Sequence, residues 1–190
     1  MTRGYTLKRR AEQQAETRLR IVEAAVALHG TYGPALTTLS MVAERAGVQR
    51  HTLYAHFPDE RSLFMACSGL TVERDPLPEA ADWPGIADRS ERLRTGLAAI
   101  YAWYERNADL LGCVLRDAEF DPLTREVADL RFGPFMASYS DVLGSKLGAR
   151  QRAMLQLALG FFTWRSLVRD SGLKSASAAK AMAQAIEGAI

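Results

Sequence analysis

The chain has 190 residues, 48% apolar and 24% charged, and a formal net charge of +2, so it is long enough for two domains with buried cores and too apolar to be a disordered tail. It holds no run of roughly 18 apolar residues, which excludes a membrane-spanning helix, and no apolar stretch follows its basic N-terminus, which excludes a secretory signal; a cytoplasmic location is expected. Its two cysteines, Cys67 and Cys113, stand in neither a CxxC nor a His-bearing spacing, so no disulfide, metal site or cofactor is expected.

Charge is unevenly distributed at the start of the chain. Arg3, Lys8, Arg9, Arg10, Arg18 and Arg20 face only Glu12 and Glu16, a local excess of four positive charges. Residues 1–15 read as a basic, flexible arm of the kind that tracks phosphates or enters a minor groove. Helical periodicity then takes over from about Glu16 to Gly30. Leu19, Val22, Val26 and His29 share a stripe, flanked by Ile21, Ala25 and Leu28. Gly30 and Gly33-Pro34 stop this helix.

A short helix follows from Thr37 or Thr38, either of which can cap it. Gly47 ends it, because only glycine takes the left-handed C-terminal position without a Cβ penalty. A second short helix spans about Gln49 to Phe57. Pro58 closes it, and Asp59 caps a third through Leu63 and Phe64. Residues 67–88 hold Pro76, Pro78, Pro84 and Gly85 and read as a connection between domains. Long helices are expected at about 88–107, 108–119, 122–146, 149–171 and 175–189. Period-2 alternation and hairpin turns are absent, so the fold class is all-α.

The stretch from Thr37 to Phe64 has the parts of a helix-turn-helix. Two short helices must cross closely through a tight turn. Ala43 is small enough for the crossing, Gly47 supplies the turn, and Val42, Ala46, Val48 and Leu53 stand where the pair must lock together. The other face of the second helix carries Gln49, Arg50, His51, Thr52, Tyr54 and His56. Arg or Gln at the start of such a helix suits bidentate contact with a base in the major groove.

These residues are similar to the DNA-binding domain of TetR-type transcriptional regulators. Thr38, Ala43, Ala46, Gly47, Val48, Thr52, Leu53, Tyr54, His56, Phe57, Leu63 and Phe64 match that family's pattern without gaps, and the resemblance covers residues 16–66. It implies an N-terminal three-helix DNA-binding domain followed by a larger helical domain, residues 89–190, for ligand binding and dimerisation. It also implies roles. Thr38 corresponds to a phosphate contact at a helix start. Gln49, Arg50 and His51 correspond to the base-reading positions, and Thr52, Tyr54 and His56 to phosphate contacts. The sequence departs from the family at Gln49, usually Ser or Thr, at His51, usually Gly, and at Glu60, usually Lys. Arg61 is the substitute available for that lysine.

A palindromic double-stranded operator requires a homodimer. The last two helices are the expected interface, the first carrying Met154, Leu155, Leu157, Ala158, Phe161, Phe162, Trp164 and Leu167 and the second Ala178, Ala179, Ala181, Met182, Ala185, Ile186 and Ala189, with packing into the chain's own core as the alternative use of the same residues. Tyr101, Trp103, Tyr104, Phe120, Phe135, Tyr139 and Phe162 form an aromatic set able to line a mostly apolar effector pocket, with Arg116, Asp117 and Glu119 available to orient a polar group. The expected function is repression relieved by a small apolar or aromatic molecule. The sequence holds no HExxH, GxSxG, Walker or GxGxxG motif, which argues against an enzyme. The competing reading is a helical interaction module that leaves DNA alone, and the acidic Glu60 favours it.

Overall fold

The computed structural model describes the backbone of residues 2–189 and the side chains of residues 8–189. Ten α-helices follow one another among the described residues: α1 Thr2–Thr31, α2 Leu39–Ala46, α3 Arg50–His56, α4 Glu60–Arg74, α5 Arg89–Arg106, α6 Ala108–Asp117, α7 Pro122–Leu143, α8 Ala149–Leu159, α9 Phe161–Arg165 and α10 Ser175–Gly188. Single 3-10 turns lie at Pro34–Leu36 and Ala80–Gly85, and a turn of π-helix at Ser166–Asp170. There is no strand among the described residues.

The helices fall into two compact units. The first joins the chain up to Pro76 to Asp109–Ala128, which is α6 and the first turns of α7. Its core is mostly aliphatic, with two phenylalanines: Ile21, Val22, Ala25 and Leu28 of α1, Val42, Ala43 and Ala46 of α2, Leu53 of α3 and Phe57 just after it, Leu63, Phe64 and Cys67 of α4, and Val127 of α7. The second unit comprises Leu77–Ala108 and the chain from Asp129 onward. Its core is aromatic. Tyr101, Trp103 and Tyr104 of α5 are buried, as are Tyr139 of α7 and Phe161 and Trp164 of α9. Against α5 lies the small-residue face of α10, with Ala178, Ala179, Met182, Ala183 and Ile186 buried.

Three expectations need correction. Residues 8–15 continue α1 and are not a separate arm; the side chain of Arg3, counted in that arm, lies outside the described residues. The connection expected at 67–88 is helical as far as Arg74, because Phe64 and Cys67 bury a further turn of α4. The expected helix 149–171 breaks at Gly160, whose ψ of 132° is extended.

That break has a physical account. An extended residue leaves the preceding carbonyls without their helical partners. Tyr101 Oη donates to the Ala158 carbonyl at 2.9 Å and Tyr104 Oη to the Leu159 carbonyl at 2.6 Å. The bend also sets Phe161 and Trp164 edge-on to the Tyr104 ring, with centroids 5.5 and 6.1 Å away.

Candidate nucleic-acid interface

The helix-turn-helix is built by local chemistry. Thr38 has an extended backbone and caps α2, its Oγ1 accepting from Met41 N at 3.3 Å. Gly47 takes φ 64°, ψ 38°, and its N–H closes α2 on the Ala43 and Glu44 carbonyls. The left-handed turn redirects the chain within three residues, so α3 starts at Arg50. Leu53 and Phe57 are buried and pull one face of α3 into the core. The opposite face is then necessarily in solvent.

The expected reading residues lie on that exposed side. Gln49, Arg50, His51 and Tyr54 are exposed, while Thr52 and His56 are half-buried. Gln49 is the residue before α3, and its side chain makes no cap, so it remains available to a partner. Thr38 is exposed at the start of α2. Arg61 is engaged elsewhere: its Nε and Nη2 donate to Glu126 Oε1 at 3.0 and 2.5 Å, with both side chains about half exposed. Asp59 caps α4 by accepting from Ser62 N at 2.6 Å. The start of α4 therefore presents Asp59 and Glu60 beside one compensated arginine.

Sequence reasoning missed Arg18. Its guanidinium lies 4.1 Å from the Phe57 ring centroid and donates to the His56 carbonyl at 3.1 Å. It thereby caps the end of α3 and fixes the recognition helix to α1. Arg20 and Arg45 also line one open groove between α1 and α2. Its only signal in the sequence is the excess of basic residues before Ile21.

Arg116 and Asp117 do not stand ready for an effector. Asp117 is fully buried. Its Oδ2 accepts from Ala35 N at 3.0 Å and its Oδ1 from Arg116 Nε at 2.8 Å. Arg116 Nη2 also donates to the Tyr32 carbonyl at 2.9 Å, and the carboxylate holds the guanidinium pKa above its ordinary value. Nearby His29 is buried between Phe64, 5.1 Å away edge-on, and Cys67, whose Sγ is 3.5 Å from Nδ1. Burial lowers its pKa to about 4, against a smaller raising effect of Asp117.

The aromatic set is divided. Phe120 belongs to the first unit and is 65% exposed, whereas the others belong to the second. In the second unit the Tyr101, Tyr104 and Tyr139 hydroxyls already donate to the carbonyls of Ala158, Leu159 and Pro78. Burial raises the pKa of all three. Phe135 is half-buried, 6.4 Å from the Tyr139 ring, and Phe162 is 43% exposed.

Comparison with known proteins agrees with this architecture. The model for bacterial regulatory proteins of the tetR family matches residues 21–67. The HTH-type transcriptional regulator MT2310 of Mycobacterium tuberculosis is 30% identical over 191 residues, covering 94% of this chain and 96% of that protein. Two further curated relatives are matched over only 46% and 37% of their own lengths. Among solved structures, NalD of Pseudomonas aeruginosa, the secondary repressor of the MexAB-OprM multidrug efflux pump, superposes with a TM-score of 0.64 at 23% identity, covering 93% of this chain and 96% of NalD. The regulator FadR of Bacillus subtilis, solved with stearoyl-CoA, gives 0.62 at 16% identity, covering 90% and 98%. With a cap at Thr38, a left-handed Gly47 and a reading helix anchored by Leu53 and Phe57, the chain belongs to the tetR family of bacterial regulatory proteins.

Proposed function

We propose that the protein binds a palindromic operator as a homodimer and represses transcription until a small apolar or amphipathic molecule releases it. The observation that carries this reading is the two-sided α3, with Leu53 and Phe57 in the core and Arg50, His51 and Tyr54 in solvent. Arg50 at the first helical position reads a base edge, with guanine the best match to its bidentate fork. Thr38, the α2 N-terminus and Tyr54 contact phosphates and fix the register. Basic residues Arg20 and Arg45 contribute to attraction without reading sequence.

Dimer formation is assigned to α8, α9 and α10. Leu157 is 53% and Phe162 43% exposed, and Ala181 and Ala185 are exposed on α10. Apolar groups left in water at helical spacing fit a second copy of the same surface. The effector is assigned to the aromatic half of the second unit, beside Phe135. The stearoyl-CoA held by FadR supports a ligand with a long apolar part, and NalD supports repression as the sign of the response.

The test is a gel-shift titration of the purified protein against duplexes from the DNA flanking its gene. Binding is expected to one inverted repeat and to weaken steeply as salt rises and counterions return to the phosphates. No binding to any flanking duplex at low salt would leave a protein-interaction module as the better reading.

A further inference from the structure

We propose that Asp117, braced by Arg116, is a positioning residue for operator binding: it holds the turn that delivers Thr38 and the N-terminus of α2 to the DNA. This rests on the operator reading above. The Pro34–Leu36 turn buries no residue of its own, and Leu36 is 66% exposed. A cavity of about 190 Å³, lined in part by Pro34, Ala35, Thr37 and Thr38, lies against it. Packing therefore does not fix the turn, and hydrogen bonds must.

Locally, Thr37 N donates to the Pro34 carbonyl at 3.0 Å and Thr37 Oγ1 to the Gly33 carbonyl at 2.7 Å. These shape the turn but do not attach it to anything. Attachment comes from α6, 82 residues away in sequence: Asp117 takes the Ala35 N–H and Arg116 takes the Tyr32 carbonyl. One carboxylate thus accepts from the turn and from the guanidinium that grips the residue before it. Gly33 is fitted to this grip. It adopts φ 95°, and a Cβ there would collide with Asp117 Oδ2 and the Arg116 guanidinium. Thr38 follows Ala35 by only three residues, so an error in the turn is passed directly to the phosphate contact.

A double-mutant cycle on operator affinity separates positioning from plain stability. Asp117→Asn keeps the shape and removes the charge; Arg116→Gln removes the brace from a half-exposed side chain and serves if the first variant folds poorly. Each is combined with Thr38→Ala in the full-length protein, alongside amide exchange at Ala35. Asp117→Asn is expected to weaken operator binding about tenfold, the scale of one charge-assisted contact, and to speed Ala35 exchange. Added to Thr38→Ala, it should cost less than about twofold more, since the contact it positions is already gone. Affinity equal to the parent's in both clamp variants, or losses that add in full to that of Thr38→Ala, would overturn the proposal. A parent that binds no duplex while Ala35 stays protected would overturn the operator reading and, with it, the positioning role, leaving a structural bond alone.

Discussion

The two units meet the same backbone problem with different long side chains. Helices end, and their ends expose polar groups that need partners. In the first unit short acceptor side chains take N–H donors at helix and turn starts, Thr38 for α2, Asp59 for α4, Asp117 for Ala35 and Asp121 for Thr124 N at 2.8 Å, and the arginines Arg18 and Arg116 take the His56 and Tyr32 carbonyls. In the second unit Asp88 caps α5 in the same way, but the carbonyls at the Gly160 break are taken by long phenol donors from α5. Carboxylates and hydroxyls at helix starts leave a unit whose surface turns are set by electrostatics. Phenols directed inward leave a unit whose helix break is set by the aromatic core. A reading head that must present backbone amides and cations fits the first arrangement.

Several substitutions would break or sharpen that contrast. Phe57→Ala removes the fully buried ring that joins α3 to α1 and should cost about 3–5 kcal/mol; a denaturation midpoint that hardly moves would mean that the first unit does not depend on this core. Next comes acidity. An unfolded His29 takes a proton near pH 6.5, while the folded one resists it to about pH 4. Stability should therefore fall as pH drops across that window, by up to about 3 kcal/mol, and level off below it. Urea titrations of His29→Asn should lack this component of the acid limb; an unchanged slope would assign it to other groups.

Tyr104→Phe leaves the Leu159 carbonyl unsatisfied in the core, and a loss of about 1–3 kcal/mol is expected. A neutral result in thermal unfolding would show that the Gly160 break does not need its phenol. Arg50→Ala should leave the fold intact and weaken operator binding by about 1–3 kcal/mol, mainly at one base position. Equal binding in a gel shift would remove Arg50 from the reading set. The smallest effect is expected from Arg61→Gln. Its exposed pair with Glu126 should hardly affect the melting temperature, so any loss of operator affinity would mean that DNA draws Arg61 away from Glu126.

What was legible in the sequence was what local chemistry decides. The Gly47 reversal, the Asp59 cap and the burial of Leu53 and Phe57 each depend on neighbours a few residues away and could be read directly, while the α2 cap could be narrowed to Thr37 or Thr38. The exposure of Gln49, Arg50, His51 and Tyr54 followed from that burial. Features decided at long range were not legible. Nothing beside Asp117 indicates Ala35 as its partner, so it looked like a group for orienting a ligand. Nothing beside Gly160 marks it as a break, because its orphan carbonyls are satisfied from α5, more than fifty residues earlier. The tyrosines looked like the lining of a pocket for the same reason. Phe120 sat at a correctly placed break, but the turn that follows α6 leaves it in solvent and in the other unit.

Gly33 answers to two separate constraints, the distant grip of Asp117 and Arg116 and its own backbone. A descendant that kept the carboxylate could not acquire a side chain at position 33 without ejecting the arginine, and one that lost the acid would still need the glycine there, because a φ of 95° strains any side chain. Position 33 should accordingly stay glycine whatever stands at 117, and a lineage that lost the acid would have had to find another way to tether its first turn.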